Sequence, residues 1–180
     1  MWQLPGVWLG RVILLTLALQ CPGTAAQAND ASPSPEPGNV QDTAPSQVLL
    51  EITDPTSGET VELNRKDLQA LPAATLTTST VVTDGTHEFR GFLMRDLLEQ
   101  MNIPGSQVTA IALNDYAVNI PVKDFYRFDV IVAYAMDGKR LTRSGKGPLW
   151  IVYPRDAHRA LQDIRYDYRW VWQLYRLEVQ

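Results

Sequence analysis

The chain has 180 residues, with 16 Lys and Arg against 20 Asp and Glu, a formal net charge of −4 and a single cysteine. That acidic balance argues against a nucleic-acid binder, which is normally basic. One cysteine leaves no disulfide framework to staple the fold.

In chain order, Arg11 is followed by the apolar run VILLTLAL at residues 12–19 and by a small-x-small site, Ala26-Gln27-Ala28. A basic start, a short apolar core and such a site form the pattern of a secretory signal peptide, expected here over residues 1–28. The run is too short for the roughly 20 apolar residues of a membrane-spanning helix; a buried N-terminal helix is the alternative. A lipoprotein site at Cys21 is disfavoured, because the bulky Gln20 stands where a small residue is wanted. Cleavage after Ala28 leaves 15 Lys and Arg against 20 Asp and Glu, a net charge of −5, and no cysteine. The mature chain then has no thiolate nucleophile and no thiolate metal ligand, and export without cysteine suits a bacterial periplasm. Residues 29–46, NDASPSPEPGNVQDTAPS, are rich in Pro, Ser and Ala with almost no large apolar side chain. Such a segment has the composition of a flexible tether, and the folded domain is expected over residues 47–180.

Within that domain the signals are mostly those of strands, and no internal repeat is present. QVLLEIT reads as a strand, residues 54–58 as a turn and TVEL as the return strand. Asn64 is placed to cap a short helix, RKDLQAL, which Pro72 stops. TLTTSTVV alternates like an edge strand, and Asp84-Gly85 is a hairpin signal leading into HEFRG. Leu93, Leu97, Leu98 and Met101 recur at helical spacing, so LMRDLLEQM is the strongest helix and is expected to cover the sheet. QVTAIAL and YAVNIP are strands, VKDFYRF a short helical turn and DVIVAYAM a strand. Asp137-Gly138 is a second hairpin turn with KRL returning, and GPLWIVYP is a further strand. Residues 156–164 are helical or loop. RWVWQLYRLEV is expected to close the domain as one long strand, with Trp170, Trp172, Leu174 and Arg176 on one face and Val171, Gln173, Tyr175 and Leu177 on the other. The fold class is α+β with strands dominant, a mixed or barrel-like sheet carrying a few short helices.

Charge is unevenly placed. Residues 139–176 carry nine basic and three acidic side chains, a net of +6, whereas residues 47–138 carry six basic and 13 acidic, a net of −7. This is either scatter over solvated faces or an anion-facing surface in the C-terminal third.

The order of the segments GFLMRDLL, ALNDYAVNIPVKDF, VIVAYAMDGKRL, GPLWIVYP and WQLYRLEV resembles the molybdopterin-binding domain of the sulfite oxidase superfamily over residues 47–180. The resemblance implies a pterin-binding fold. Three departures bear on what it does. Enzymes of that family hold molybdenum through a cysteine thiolate, which Ser or Asp does not readily replace. The chain lacks the N-terminal portion and long loops that enclose the tricyclic cofactor in the full enzymes. Trp172 and Gln173 stand where the enzyme pattern has Lys and Trp, although Arg169 sits where the family tends to carry an Arg. What the resemblance implies is therefore a non-catalytic periplasmic pterin-binding sensor, with no molybdenum expected. It looks like small secreted chains linked to the periplasmic domains of inner-membrane enzymes that make and degrade cyclic di-GMP. The alternatives are a molybdopterin-dependent oxidoreductase with atypical metal ligation and a ligand-free adaptor.

A pterin needs a plane to stack on and polar groups to read its amino-pyrimidinone edge. The candidates are Asn114, Asp115 and Tyr116, which either face the ligand or form a tight turn through side-chain to backbone hydrogen bonds. Trp150, Trp170 and Trp172 are either stacking surfaces or core. Arg155 and Arg169 either cover a pterin face or an anionic tail, or are solvated. His87 and His158 stand apart from any carboxylate cluster in sequence, and no metal site is expected. Neither a nucleophile elbow nor a phosphate-cradling glycine loop is present.

Overall fold

The computed structural model describes residues 46–180. The expected leader, and the expected tether up to Pro45, lie outside the described residues. No helix among the described residues is long and apolar enough to cross a membrane.

The described chain is α+β with strands dominating, in two five-stranded sheets. The first is ordered β2-β1-β10-β5-β6. It comprises β1 (Val48–Thr53), β2 (Thr60–Asn64), β5 (Gln107–Ala112), β6 (Ala117–Pro121) and β10 (Leu174–Val179). β1 and β10 run parallel, pairing Glu51 with Arg176 and Ile52 with Leu177, and the other ladders are antiparallel. The second sheet runs β3 (Ala73–Ser79), β4 (Thr86–Leu93), β7 (Ile131–Met136) and β8 (Lys139–Arg140), with β9 (Trp150–Val152) on the other part of β7. One buried cluster draws Leu50, Ile52 and Leu177 from the first sheet and Phe89, Phe92 and Val132 from the second. Each such side chain removed from water contributes about 1.5–3 kcal/mol, so the shared core holds the two sheets together.

The helices close gaps at the ends of strands. α1 (Arg65–Ala70) starts on a capping box: the Asn64 carboxamide accepts from Lys66 and Asp67 N–H, and the Asp67 carboxylate accepts from Asn64 N–H at 2.9 Å. α2 (Met94–Gln100) buries Met94, Leu97 and Leu98. That agrees with the helical spacing of its leucines. α3 (Val122–Phe128) buries Phe125, Phe128 and the carboxylate of Asp124. A 3-10 turn at Arg159–Gln162 precedes α4 (Ile164–Asp167), whose N-cap Asp163 accepts from Arg165 N–H.

Three strand expectations need correction. β3 lies at a sheet edge as expected but ends at Ser79, because Thr80 Oγ1 accepts from Val82 N–H at 3.1 Å and bonds Thr83 Oγ1 at 2.7 Å. That local turn leaves Val81 and Val82 outside the ladder and exposed. The GPLWIVYP segment is a strand only at Trp150–Val152. The long closing strand is broken: Gln173 has φ +53°, and regular pairing begins at Leu174. A left-handed residue cannot continue an extended ladder, so residues 169–173 are irregular. Trp172 makes only an isolated bridge to Trp150, and a second irregularity falls between Leu174 and Arg176. The expected alternation of faces therefore does not run through the segment.

Candidate functional site

β5 ends at Ala112, which lies opposite Leu174, the first residue of β10. The β5–β6 turn and the irregular 169–173 segment thus emerge at the same edge of the first sheet. Asn114 Oδ1 accepts from Tyr116 N–H at 3.2 Å, Asp115 donates its N–H to Ala112 O at 2.9 Å, and Asp115 has φ +63°. Asn and Asp tolerate this conformation better than most residues, so the pair builds the turn. The turn also holds Tyr116 toward α4, where its hydroxyl donates to Tyr168 O at 2.7 Å. Burial raises the Tyr116 phenol above its ordinary value, with Tyr168 adding to the shift.

Between these segments lies a cavity of about 310 Å³. Its walls are mainly aromatic, from Tyr116, Tyr168, Trp170 and Trp172, with Val82 and Ala112 completing the apolar surface. Its polar side chains are Asn114 and Asp167. Two buried atoms of these residues have no hydrogen-bond partner among the described residues, Asp167 Oδ1 and Trp170 Nε1. One is an acceptor and the other a donor. Leaving such atoms unsatisfied costs about 1–3 kcal/mol each. Asp167 thus offers an acceptor and Trp170 a donor beside aromatic surfaces, the kinds of group that a flat ring with N–H donors and a ring acceptor pairs with and stacks on.

Of the sequence candidates, Asn114, Tyr116, Trp170 and Trp172 come together on this cavity, and the other four do not line it. Asp115 sits in the turn and is exposed. Trp150 is wholly buried, edge-on to Phe89 at 5.3 Å between centroids and next to Trp170 at 6.5 Å, so it packs behind the cavity. Arg155 stands beside Asp156, which binds Ser79 N–H and the Ser79 hydroxyl at 2.6 Å each and so ties this loop to the end of β3. Arg169 is turned inward. It pairs with the buried carboxylate of Asp124, which also accepts from the Tyr153 hydroxyl at 3.3 Å, and its guanidinium lies 4.7 Å from the Tyr166 ring centre. Burial is the main reason that the Tyr153 phenol stands well above its ordinary range.

Sequence reasoning missed Asp167, Tyr168, Val82 and Ala112. The cluster Tyr166-Asp167-Tyr168-Arg169-Trp170, an acid flanked by aromatics, was a usable signal for the first two. His87 has one carboxylate neighbour that spacing does not reveal: its Nδ1 lies 2.6 Å from Asp137 Oδ2, fifty positions away in sequence. Among the described residues no group of three or more His, Cys, Asp or Glu stands together as a metal site.

Residues 37–159 match the family described as the oxidoreductase molybdopterin binding domain. The chain belongs to that family. No curated protein matches the chain. The family match ends before Asp167, Tyr168, Trp170 and Trp172, so half of the cavity is built by residues beyond the matched span. Aromatic walls with Asn114 and Asp167 give the cavity the residue types that a flat heteroaromatic ring such as a pterin calls for. No residue among those lining it carries a thiolate or a basic side chain.

Proposed function

We propose that the chain is a pterin-binding regulatory protein that recognises its ligand without carrying out chemistry on it. The observation that carries this reading is the aromatic cavity with Asp167 Oδ1 and Trp170 Nε1 buried and unpartnered. In this reading the Asp167 carboxylate accepts from the amino and ring N–H groups of the pterin, and the Trp170 indole N–H donates to a ring acceptor. Tyr116, Tyr168 and Trp172 hold the ring faces. Asn114 supplies a further donor and acceptor. A non-catalytic role without molybdenum is supported by a chain whose one cysteine, Cys21, falls in the expected leader.

The setting we propose is the periplasm, after removal of that leader, with the periplasmic domain of an inner-membrane cyclic di-GMP synthase or phosphodiesterase as partner. Sequence resemblance and the leader pattern support this setting. A ligand acts as a switch only if it favours one state or complex over another. The exposed rim suits that role, since Val82, Tyr116, Tyr168 and Trp172 are each more than a third exposed around the mouth. A bound ring changes the surface that a partner meets there.

The test is a titration of the purified protein with oxidised and reduced pterins, followed by tryptophan fluorescence. Saturable binding is expected, and Asp167→Asn is expected to weaken it by about 10- to 100-fold, the scale of a hydrogen bond to a charged group. Absence of saturable binding by any pterin sinks the reading. Partner binding indifferent to pterin favours a ligand-free adaptor.

A further inference from the structure

Gln173 is a non-glycine residue at φ +53°, a conformation that costs roughly 1 kcal/mol or more for an ordinary side chain. Such a residue persists only where its surroundings over-determine it, and here every polar group of the residue except its amide oxygen is engaged. Its backbone N–H donates to Lys146 O at 2.9 Å and its carbonyl accepts from Leu113 N–H at 2.9 Å. Its side-chain Nε2 donates to Arg143 O at 2.7 Å and to Gly145 O at 3.2 Å. One residue thus joins the 142–147 loop to the β5–β6 turn, and Trp172 stands immediately before it.

The loop held in this way carries Lys146, whose ammonium lies 4.8 Å from the Trp172 ring centre and 5.4 Å from that of Trp150. A cation at this distance over an indole is attracted by the ring and restricts its rotation. Lys146 does not line the cavity, whereas Trp172 does. The ammonium therefore backs the indole from outside the ligand space. Trp172 would otherwise be a large side chain, 37% exposed, on an irregular segment with one isolated bridge.

We propose that Gln173 is a positioning residue for the cavity: it clamps the 142–147 loop and the β5–β6 turn, and through Lys146 holds Trp172 in its ring-binding orientation. The part of this that concerns ligand residence rests on the pterin reading; the part that concerns Trp172 does not. A preorganised wall lowers the ordering cost of binding and acts mainly on dissociation.

The experiment uses the protein labelled with 5-fluorotryptophan, with the Trp172 fluorine resonance assigned by Trp172→Phe. Gln173→Gly keeps the left-handed backbone accessible and removes the amide. It is expected to broaden or shift the Trp172 resonance and to speed dissociation of a bound pterin about tenfold, the scale of one or two lost hydrogen bonds. Gln173→Asn, which also tolerates the left-handed region and retains an amide, is expected to restore part of both. Lys146→Met leaves Gln173 in place and is expected to move the Trp172 signal without changing the backbone clamp. An unchanged Trp172 resonance in Gln173→Gly overturns the proposal, as does an unchanged resonance in Lys146→Met. If the parent protein binds no pterin, the pterin reading fails, and the fluorine spectra still decide whether Gln173 positions Trp172.

Discussion

Asp167 and His87 show opposite ways in which single side chains carry charge here. Asp167 has a buried oxygen with no hydrogen-bond partner among the described residues. Asp167→Asn is accordingly expected to cost little folding stability or to raise it while weakening ligand binding, the trade-off of a site built for something other than stability. His87 is fully matched instead: Nδ1 faces Asp137 Oδ2 at 2.6 Å and Nε2 faces the Asp84 carbonyl at 2.9 Å. Two acceptors call for two N–H donors, which only the protonated ring has. The hydrogen bond to Asp137, ahead of the backbone bond to Asp84, raises the His87 pKa above its ordinary 6.5. A group whose folded pKa is raised stabilises the fold fully below its unfolded value and loses that contribution as pH rises through the folded value. Urea midpoints are therefore expected to be highest below the ordinary histidine value of about 6.5 and to fall as pH rises above it, and His87→Gln is expected to flatten that slope. An equal slope in both proteins would discard the assignment.

Whole elements were read well where a local code is strong. The capping box at Asn64 and Asp67, the leucine spacing of α2 and the Asp137-Gly138 hairpin are each written in residues a few positions apart, and each element forms where expected. Asp84-Gly85 instead ends a six-residue loop between Ser79 and Thr86. The closing segment failed because alternation reports side-chain type and not backbone angle. Nothing in RWVWQLYRLEV announces a left-handed residue at a glutamine, since the hydrogen bonds that hold Gln173 come from residues 113 and 143–146. β4 contains another constraint invisible to periodicity. Gly91 lies at a register shift against β7, and a Cβ there would come within 2.0 Å of the Val132 carbonyl oxygen. Backbone cannot yield as a flexible side chain does. Gly91→Ala is expected to destabilise the protein by about 1–3 kcal/mol, the usual scale of overpacking, measured by urea unfolding. A loss below a few tenths would mean that the two strands part without cost.

At the scale of the whole molecule, both sheets feed one hydrophobic cluster. Buried Asp124 and Tyr153 and the half-buried Arg169 link α3 and the end of β9 to the segment after α4. A shared core and a largely buried ion pair across segments predict a single cooperative transition, with tryptophan fluorescence and far-ultraviolet circular dichroism changing together. Separate midpoints for the two probes would contradict a shared core. The same organisation explains the split among the site candidates. Arg169 is drawn inward because a buried carboxylate requires a partner, and Trp150 is enclosed because β9 packs between β7 and the closing segment. Trp170 and Trp172, only two positions apart, are left on the cavity.

The amino-acid sequence by itself determined the α+β class, most of the elements, the family resemblance over the folded domain and the aromatic and polar types from which a pterin site is made. These follow from periodicity, capping and turn chemistry, which act over a few residues. Only the tertiary structure decided which candidates share a cavity, and it brought in Asp167 and Tyr168. Cavity membership depends on contacts between β5–β6, α4 and residues 169–173, and on a left-handed Gln173 that only distant backbone partners stabilise.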